Sequence, residues 1–500
     1  MTTTGFFMLL TLAAYFLLLL FIAARSAKKS DNDTFFRAGR RSPWWMVAFG
    51  MIGASISGVS FISVPGWVGS TGMTYLQMCA GFCFGYFAVA FVLLPLYYKL
   101  QLTSIYAYLG MRYGIATHRT GAFFFLLSKL TGAAARLYLV CLVLQEFVTG
   151  PMGIPYPVTA ALTLLLIWGY TQRSGTAALV RTDALQTACL LLSMVGLLVI
   201  AANQLGYDLG TAWNTVRESA MSKVFEWDLS SKQTFWRQFL SGIFIVIVMT
   251  GLDQDTMQKN LTCRTLKEAQ KDMCTYGMCF LPVNFLLLAL GILLHAIYAQ
   301  QGMPIPGTSD ELLPHLISSG TLGTLVILPF TIGIVAAAFS SADSALTALT
   351  TSCCIDVLDI ERRNYGEAKA NRIRQKVHIV MALVLFSCIC GIYIIGSQNV
   401  IDTIYVLASY TYGPLLGLYA FGLFTHRRVY DKGVPAVAII SPVVCGALDY
   451  YAPIWWNYHF GYELLMLNGL LTFTGLWLIS RKADLHLAHP VINHQSGQSY

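Results

Sequence analysis

The chain has 500 residues, of which 56% are hydrophobic and only 11% charged. Soluble globular proteins run near a quarter charged, so this composition excludes a soluble fold. With 32 Lys and Arg against 24 Asp and Glu, the net charge is +8, and the question is where that excess lies.

In chain order, apolar runs long enough for a hydrocarbon core of about 30 Å predict thirteen membrane spans. They fall near residues 5–24, 45–70, 74–98, 120–149, 156–171, 176–202, 235–257, 272–299, 322–357, 376–396, 399–424, 433–452 and 459–480. β-Barrel spans would be shorter and alternating, and no such pattern occurs. The first run follows an uncharged "MTTTG" and leads directly into "RSAKK". It is too long for a signal-peptide core, and its flanking charges predict an uncleaved span. Basic residues crowd segments 25–43 (Arg25, Lys28, Lys29, Arg37, Arg40, Arg41) and 358–375 (Arg362, Arg363, Lys369, Arg372, Arg374), whereas 300–321 carries none. The positive-inside rule therefore sets the N-terminus outside and the C-terminus in the cytoplasm, and the positive charge is a topology signal. No aromatic-basic interleaving points to nucleic acid. None of the twelve Cys falls in an outside segment, so no disulfides are expected, and no Cys/His spacing suggests a metal site. The sequons at Asn32 and Asn260 lie on the predicted cytoplasmic side and are discounted as glycosylation sites. Residues 1–482 read as one transmembrane transporter domain and 483–500 as a short cytoplasmic tail.

Polar groups inside spans cost about 2.5–3.5 kcal/mol each on insertion scales and mark candidate sites. "GASISGVSFISVPG" (53–66) combines Gly53, Gly58 and Pro65 with four serines, which predicts a broken helix whose freed carbonyls line a cavity. The competing reading is a packing seam of small residues. "AAAFSSADSALTALTTSC" (336–353) places Ala337, Ser340, Ser341 and Ser344 on one helical face. Serine back-bonding to its own helix could explain those hydroxyls, but not Asp343. "RTDALQ" places Asp183 at the cytoplasmic start of a span, where a solvated loop carboxylate is the alternative.

Together with "GLDQDTMQKNLTCRTLKEAQKDM" and "YGPLLGLYAFGLF", these segments resemble the sodium/solute symporter family, which includes sugar, sialic acid, proline and pantothenate carriers. The similarity runs from the first span to about residue 430. It implies an all-α polytopic fold with a five-plus-five inverted-repeat core of the leucine-transporter type. The repeats would cover about 45–202 and 235–424, with the second and seventh spans broken. Matched residue by residue, the resemblance implies a main sodium site from the carbonyls of Gly53, Ile56 and Ala337 and the hydroxyls of Ser340 and Ser341. A second cation site would use Asp183, Asp343 and Ser344, although the family has a serine where this chain has Asp343. Two carboxylates facing each other there would need a cation between them or a shared proton; the alternative places Asp343 in a solvated cytoplasmic vestibule. The double-glycine signature before the Asp183 helix is also altered, to "YTQRSGTAAL". Substrate positions match Ser55, Ser57, Ser60, Tyr75 and Cys79. A substrate-binding arginine of sialic acid carriers aligns with Gly132, and Arg136 lies one turn further along the same face. Asp253, Gln254 and Asp255 match an inner gate.

The expected function is sodium-coupled import of a small polar organic solute (a sugar, sialic acid or other organic acid) across a plasma membrane, the bacterial inner membrane, by a monomer in the lipid bilayer. Arg136 and Lys129 are the only Lys or Arg deep in the third core helix, and an unpaired Arg136 favours an anionic or sugar-acid solute over a neutral sugar or polyol. Sodium is the coupling ion, with no other cofactor and no nucleic acid. The rival function is a transporter-like solute sensor without net transport; a counterflow assay separates the two. A membrane enzyme is disfavoured, because no catalytic constellation clusters at one depth.

Overall fold

The computed structural model describes residues 3–26, 42–171, 175–360, 362–363, 365–395 and 400–482. The altered "YTQRSGTAAL" stretch falls partly, and Asn32, most of the 25–43 basic cluster and the 483–500 tail wholly, outside the described residues. Among the described residues, eight helices are long and apolar enough to cross a membrane, two further crossings are bent helix pairs, and three shorter apolar helices complete the set. All thirteen segments expected from hydropathy coincide with these. Their outward faces expose residues such as Leu17, Leu383 and Ile440, a surface suited to lipid rather than water.

Helix α1 (Thr3–Ser26) precedes the first bent pair, α2 (Trp44–Ser55) and α3 (Gly58–Thr71), inclined at 58°. The break is written locally. Ile56 N completes the last turn by donating to Ile52 O at 2.9 Å, after which Ile56 (φ −81°, ψ 81°) and Ser57 (ψ 167°) leave helical geometry. Helix α4 (Tyr75–Ala88) runs on through a π turn to Lys99. It is followed by α5 (Ile115–Leu144), α6 (Tyr156–Thr171) and α7 (Gly175–Gln204).

The second bent pair is α8 (Phe235–Val246), extended by a π turn to Gly251, and α9 (Gln254–Asn260), inclined at 69°. Here Asp253 causes the restart, because its carboxylate accepts from Asp255 N at 2.9 Å and Thr256 N at 3.3 Å. An Asp in this N-cap position satisfies amides that the helix itself cannot. Then come α10 (Leu266–Gln301), α11 (Ile327–Ser352), α12 (Glu367–Ile395), α13 (Val400–Thr411), α14 (Gly413–Phe424), α15 (Val434–Trp456) and α16 (Leu464–Leu478).

The span expected as one helix over 399–424 is instead interrupted at Tyr412. Pro414 has no N–H to continue the ladder, and Asn468 on α16 donates to the carbonyls of Ser409 (3.0 Å) and Tyr410 (3.1 Å). A side chain from another helix thus stabilises an interruption that hydropathy does not show. Helices α4 and α8 cross so closely that a Cβ on Gly81 would lie 2.1 Å from Phe239 O, and one on Gly242 2.3 Å from Met78 O. Only glycine permits that approach.

Candidate functional site

The two helix breaks face a common region, closed on its other side by α11. Gly53, in the last turn of α2, donates its N–H to Thr187 Oγ1 on α7 at 3.1 Å. On α11, Ser341 Oγ donates to Ala54 O at 3.2 Å, so a hydroxyl of this helix does meet a carbonyl freed by the break. Ser340 Oγ donates to Asp183 Oδ1 at 2.9 Å. The structure therefore brings Ser341 onto the Gly53–Ile56 turn, while Ser340 reaches Asp183 on α7, both serines being wholly or almost wholly buried. Ala54 and Thr187 were missed by the sequence reading. The packing-seam alternative is not excluded by the break but merged with it, since Gly53 both packs tightly and precedes freed carbonyls.

Asp183 is 1% exposed and Asp343 fully buried, which rules out a solvated loop or vestibule for either. The carboxylates are separately engaged. Lys259 Nζ on α9 lies 2.8 Å from Asp183 Oδ2, while Asp343 Oδ1 accepts from Ser344 N (2.6 Å) and Ser344 Oγ (3.2 Å). Ser344 thus bonds its neighbour rather than Asp183. Lys259 lies within the "GLDQDTMQKNLTCRTLKEAQKDM" stretch, but the sequence reading gave it no role.

Between the breaks and α5 lies a cavity of about 120 Å³, whose wall includes Ser55, Ser57, Ser60, Ser341, Arg136 and Tyr405. That is room for several waters, so charged groups on the wall need not face a dry interior. Tyr75 and Cys79, expected as substrate residues, do not line it. Tyr75 instead backs the wall, its hydroxyl 3.1 Å from that of Tyr405. Ser55 Oγ hydrogen-bonds Tyr276 Oη, which also accepts from Tyr86 Oη at 2.8 Å. Arg136 has no carboxylate within ion-pair distance among the described residues.

Lys129, two turns before Arg136 on α5, is fully used. Its ammonium lies 2.7 Å from Asp255 Oδ2 and 3.2 Å from Asp253 Oδ1, and Tyr412 Oη donates to Asp253 Oδ2 at 2.6 Å. Helix α5, the α9 start and the α13–α14 interruption are thereby tied at one end of the cavity, where the inner gate was expected. Gln254 is not part of this cluster. Its side chain accepts from Ile105 N and donates to Thr103 O, both at 2.9 Å, clamping the loop after α4. Asn260, a sequon residue, is fully buried and bonds Asp272 Oδ2 at 2.6 Å.

A pair of broken helices flanking a cavity beside a hydroxyl-bearing helix is the architecture of sodium-coupled inverted-repeat transporters. The sequence agrees. The sodium:solute symporter family matches residues 35–439, and the chain belongs to it. The sodium/sialic acid symporter of Proteus mirabilis is 24% identical over 82% of this chain and 83% of its own. The human sodium/iodide cotransporter is 24% identical over 78% of this chain and 61% of its own. Among solved structures, a substrate-bound outward-open sodium-coupled sialic acid symporter aligns with a TM-score of 0.80 at 20% identity, covering 96% of this chain and all of that one. A nucleobase-cation-symport-1 family transporter, solved closed with bromovinylhydantoin bound, aligns at 0.52 and 15% identity over 90% and 95%. The chain is a multi-pass membrane protein that couples sodium to the symport of a small organic solute.

Proposed function

We propose that this symporter imports an anionic organic solute, a sugar acid or a comparable carboxylate, that binds in the cavity against Arg136. The observation that carries the choice is the guanidinium on the cavity wall with no carboxylate partner among the described residues. That guanidinium is only partly buried, on a wall with room for water, so its charge is available to a ligand, and a carboxylate offers the planar, bidentate match that Arg favours. The serines on the α2–α3 break supply hydroxyl partners for a polyhydroxylated remainder. The sialic acid symporters among the relatives support the same class.

In this reading sodium is held where α11 meets the first break, by the carbonyls of Gly53, Ile56 and Ala337 and the hydroxyls of Ser340 and Ser341. The Ser341–Ala54 contact supports that junction. Sodium orders the break, the solute binds beside it, and the Lys129–Asp253–Asp255 cluster opens to release both into the cytoplasm, with the N-terminus outside. A cation moving down a membrane potential contributes about 2.3 kcal/mol per 100 mV.

The test is uptake by proteoliposomes of a panel of sugar acids, monocarboxylates, neutral sugars and polyols, driven by sodium or by choline. The reading expects a carboxylate to be accumulated in sodium only. Arg136→Gln should then raise its half-saturating concentration by about tenfold or more, the weight of a charged hydrogen bond. A transported neutral sugar with an unchanged constant in Arg136→Gln would assign Arg136 to structure.

A further inference from the structure

Lys259 has no role in the account above, yet it is 3% exposed and sits inside the second bent pair. Its ammonium is 2.8 Å from Asp183 Oδ2 and 3.9 Å from Asp255 Oδ1, and Asp343 is the third carboxylate whose charge it feels. Buried Asp183 and partly buried Asp255 lie within reach of one ammonium, and without a cation between them their charges would repel each other. We propose that Lys259 is a built-in cation that fills the place a second coupling ion would take, so that the protein moves one sodium per solute.

The donor arrangement supports this. A soluble cation beside Asp183 would need carboxylate oxygens and neighbouring hydroxyls. Both oxygens of Asp183 are committed, Oδ1 to Ser340 and Oδ2 to Lys259. An ammonium already in contact with Asp183 also repels a second positive ion directly.

The same lysine connects two parts of the site. Ser340 Oγ donates its proton to Asp183 and so presents its lone pairs outward, the form a sodium ligand requires. Asp183 holds Lys259, Lys259 reaches Asp255, and Asp255 holds Lys129, which also holds Asp253 and through it Tyr412. A continuous line of charged contacts thus runs from the proposed sodium ligand Ser340 to the cluster at the far end of the cavity. Lys259 is a positioning residue in that line.

The inference rests on the sodium reading of Ser340 and Ser341, and the experiment separates the two. Proteoliposomes containing the full chain are assayed for the sodium Hill coefficient and for the charge moved per solute, read from the reversal potential. A parent without sodium-stimulated uptake contradicts the sodium reading itself. With sodium-stimulated uptake present, the proposal expects a Hill coefficient near 1 and, for a monoanionic solute, a net charge near 0 per solute moved. A coefficient near 2 with a net charge near 1 overturns it. Lys259→Gln frees Asp183 and Asp343 for a soluble cation and should move the Hill coefficient toward 2, while Lys259→Arg should keep it at 1; an active Lys259→Gln that stays at 1 overturns the proposal. Asp343→Ser supplies an independent decision if Lys259→Gln does not fold. It restores a hydroxyl beside Ser344 but leaves Lys259 on Asp183, so the coefficient should remain 1, and a rise to 2 would show that Lys259 excludes nothing.

Discussion

Replacing Gly53 with Ala perturbs the first helix break by a single methyl group. An ideal Cβ there would lie 2.2 Å from Thr187 Oγ1 and 3.0 Å from both Thr187 Cα and Cβ. The hydroxyl could rotate away, but the backbone atom of α7 cannot, so α2 and α7 must separate. Overpacking of this kind costs about 1–3 kcal/mol, and the 3.1 Å bond from Gly53 N to Thr187 Oγ1 is worth a further 0.5–1.5 kcal/mol, roughly. The strain falls on the turn whose carbonyls are proposed to hold sodium. If about 2 kcal/mol of it is charged to the ion-bound form, half-saturating sodium rises roughly 30-fold. The assay is uptake against sodium concentration at fixed solute, in Gly53→Ala and in Gly53→Ala/Thr187→Ala. The second change removes the 2.2 Å contact and leaves the 3.0 Å ones, so it should recover part of the affinity. A single variant whose half-saturating sodium stays within twofold of the parent would refute the assignment of this turn to the ion.

Asp253 caps α9, holds Lys129 and accepts from Tyr412. Asp253→Ala should lower stability by about 2–4 kcal/mol, combining a lost cap of about 1 kcal/mol with lost charged hydrogen bonds. Asp253→Asn keeps the cap through its single oxygen, although it turns an amide NH2 toward Tyr412 in place of Oδ2, and should cost clearly less; equal melting shifts in detergent would contradict the cap. Gln254→Leu removes two 2.9 Å bonds to the loop after α4 and should destabilise by about 1–3 kcal/mol. Because Gln254 does not line the cavity, the solute constant of the surviving protein should be unchanged, and a shifted constant would return Gln254 to the gate.

How much of this could be read in advance varied with the physics of each residue. Span positions were legible because burial in lipid demands long apolar runs, and the first bent pair announced itself through the Gly, Ser and Pro of 53–66, whereas the second was expected only from the family resemblance. The Tyr412 interruption was not legible as a break, since it depends on Asn468, some 55 residues on, reaching the freed carbonyls. Ser55, Ser57, Ser60 and Arg136 reach the cavity, but Tyr75 and Cys79 do not. Their helix was correctly assigned and its rotation was not, because an apolar helix without a polar stripe gives no phase. Lys259 was invisible for a related reason. Its partners Asp183 and Asp255 lie on other elements or one turn away, and only the 69° bend turns its ammonium inward.

The most direct test of the account is sodium-dependent uptake by Ser340→Ala/Ser341→Ala, with the protein shown to be folded in the membrane. The two hydroxyls are the side-chain ligands proposed for the coupling ion, one on Asp183 and one on Ala54 O. The account predicts that stimulation by sodium disappears while the folded protein remains. Uptake by the double variant that sodium still stimulates over choline as strongly as in the parent would contradict it.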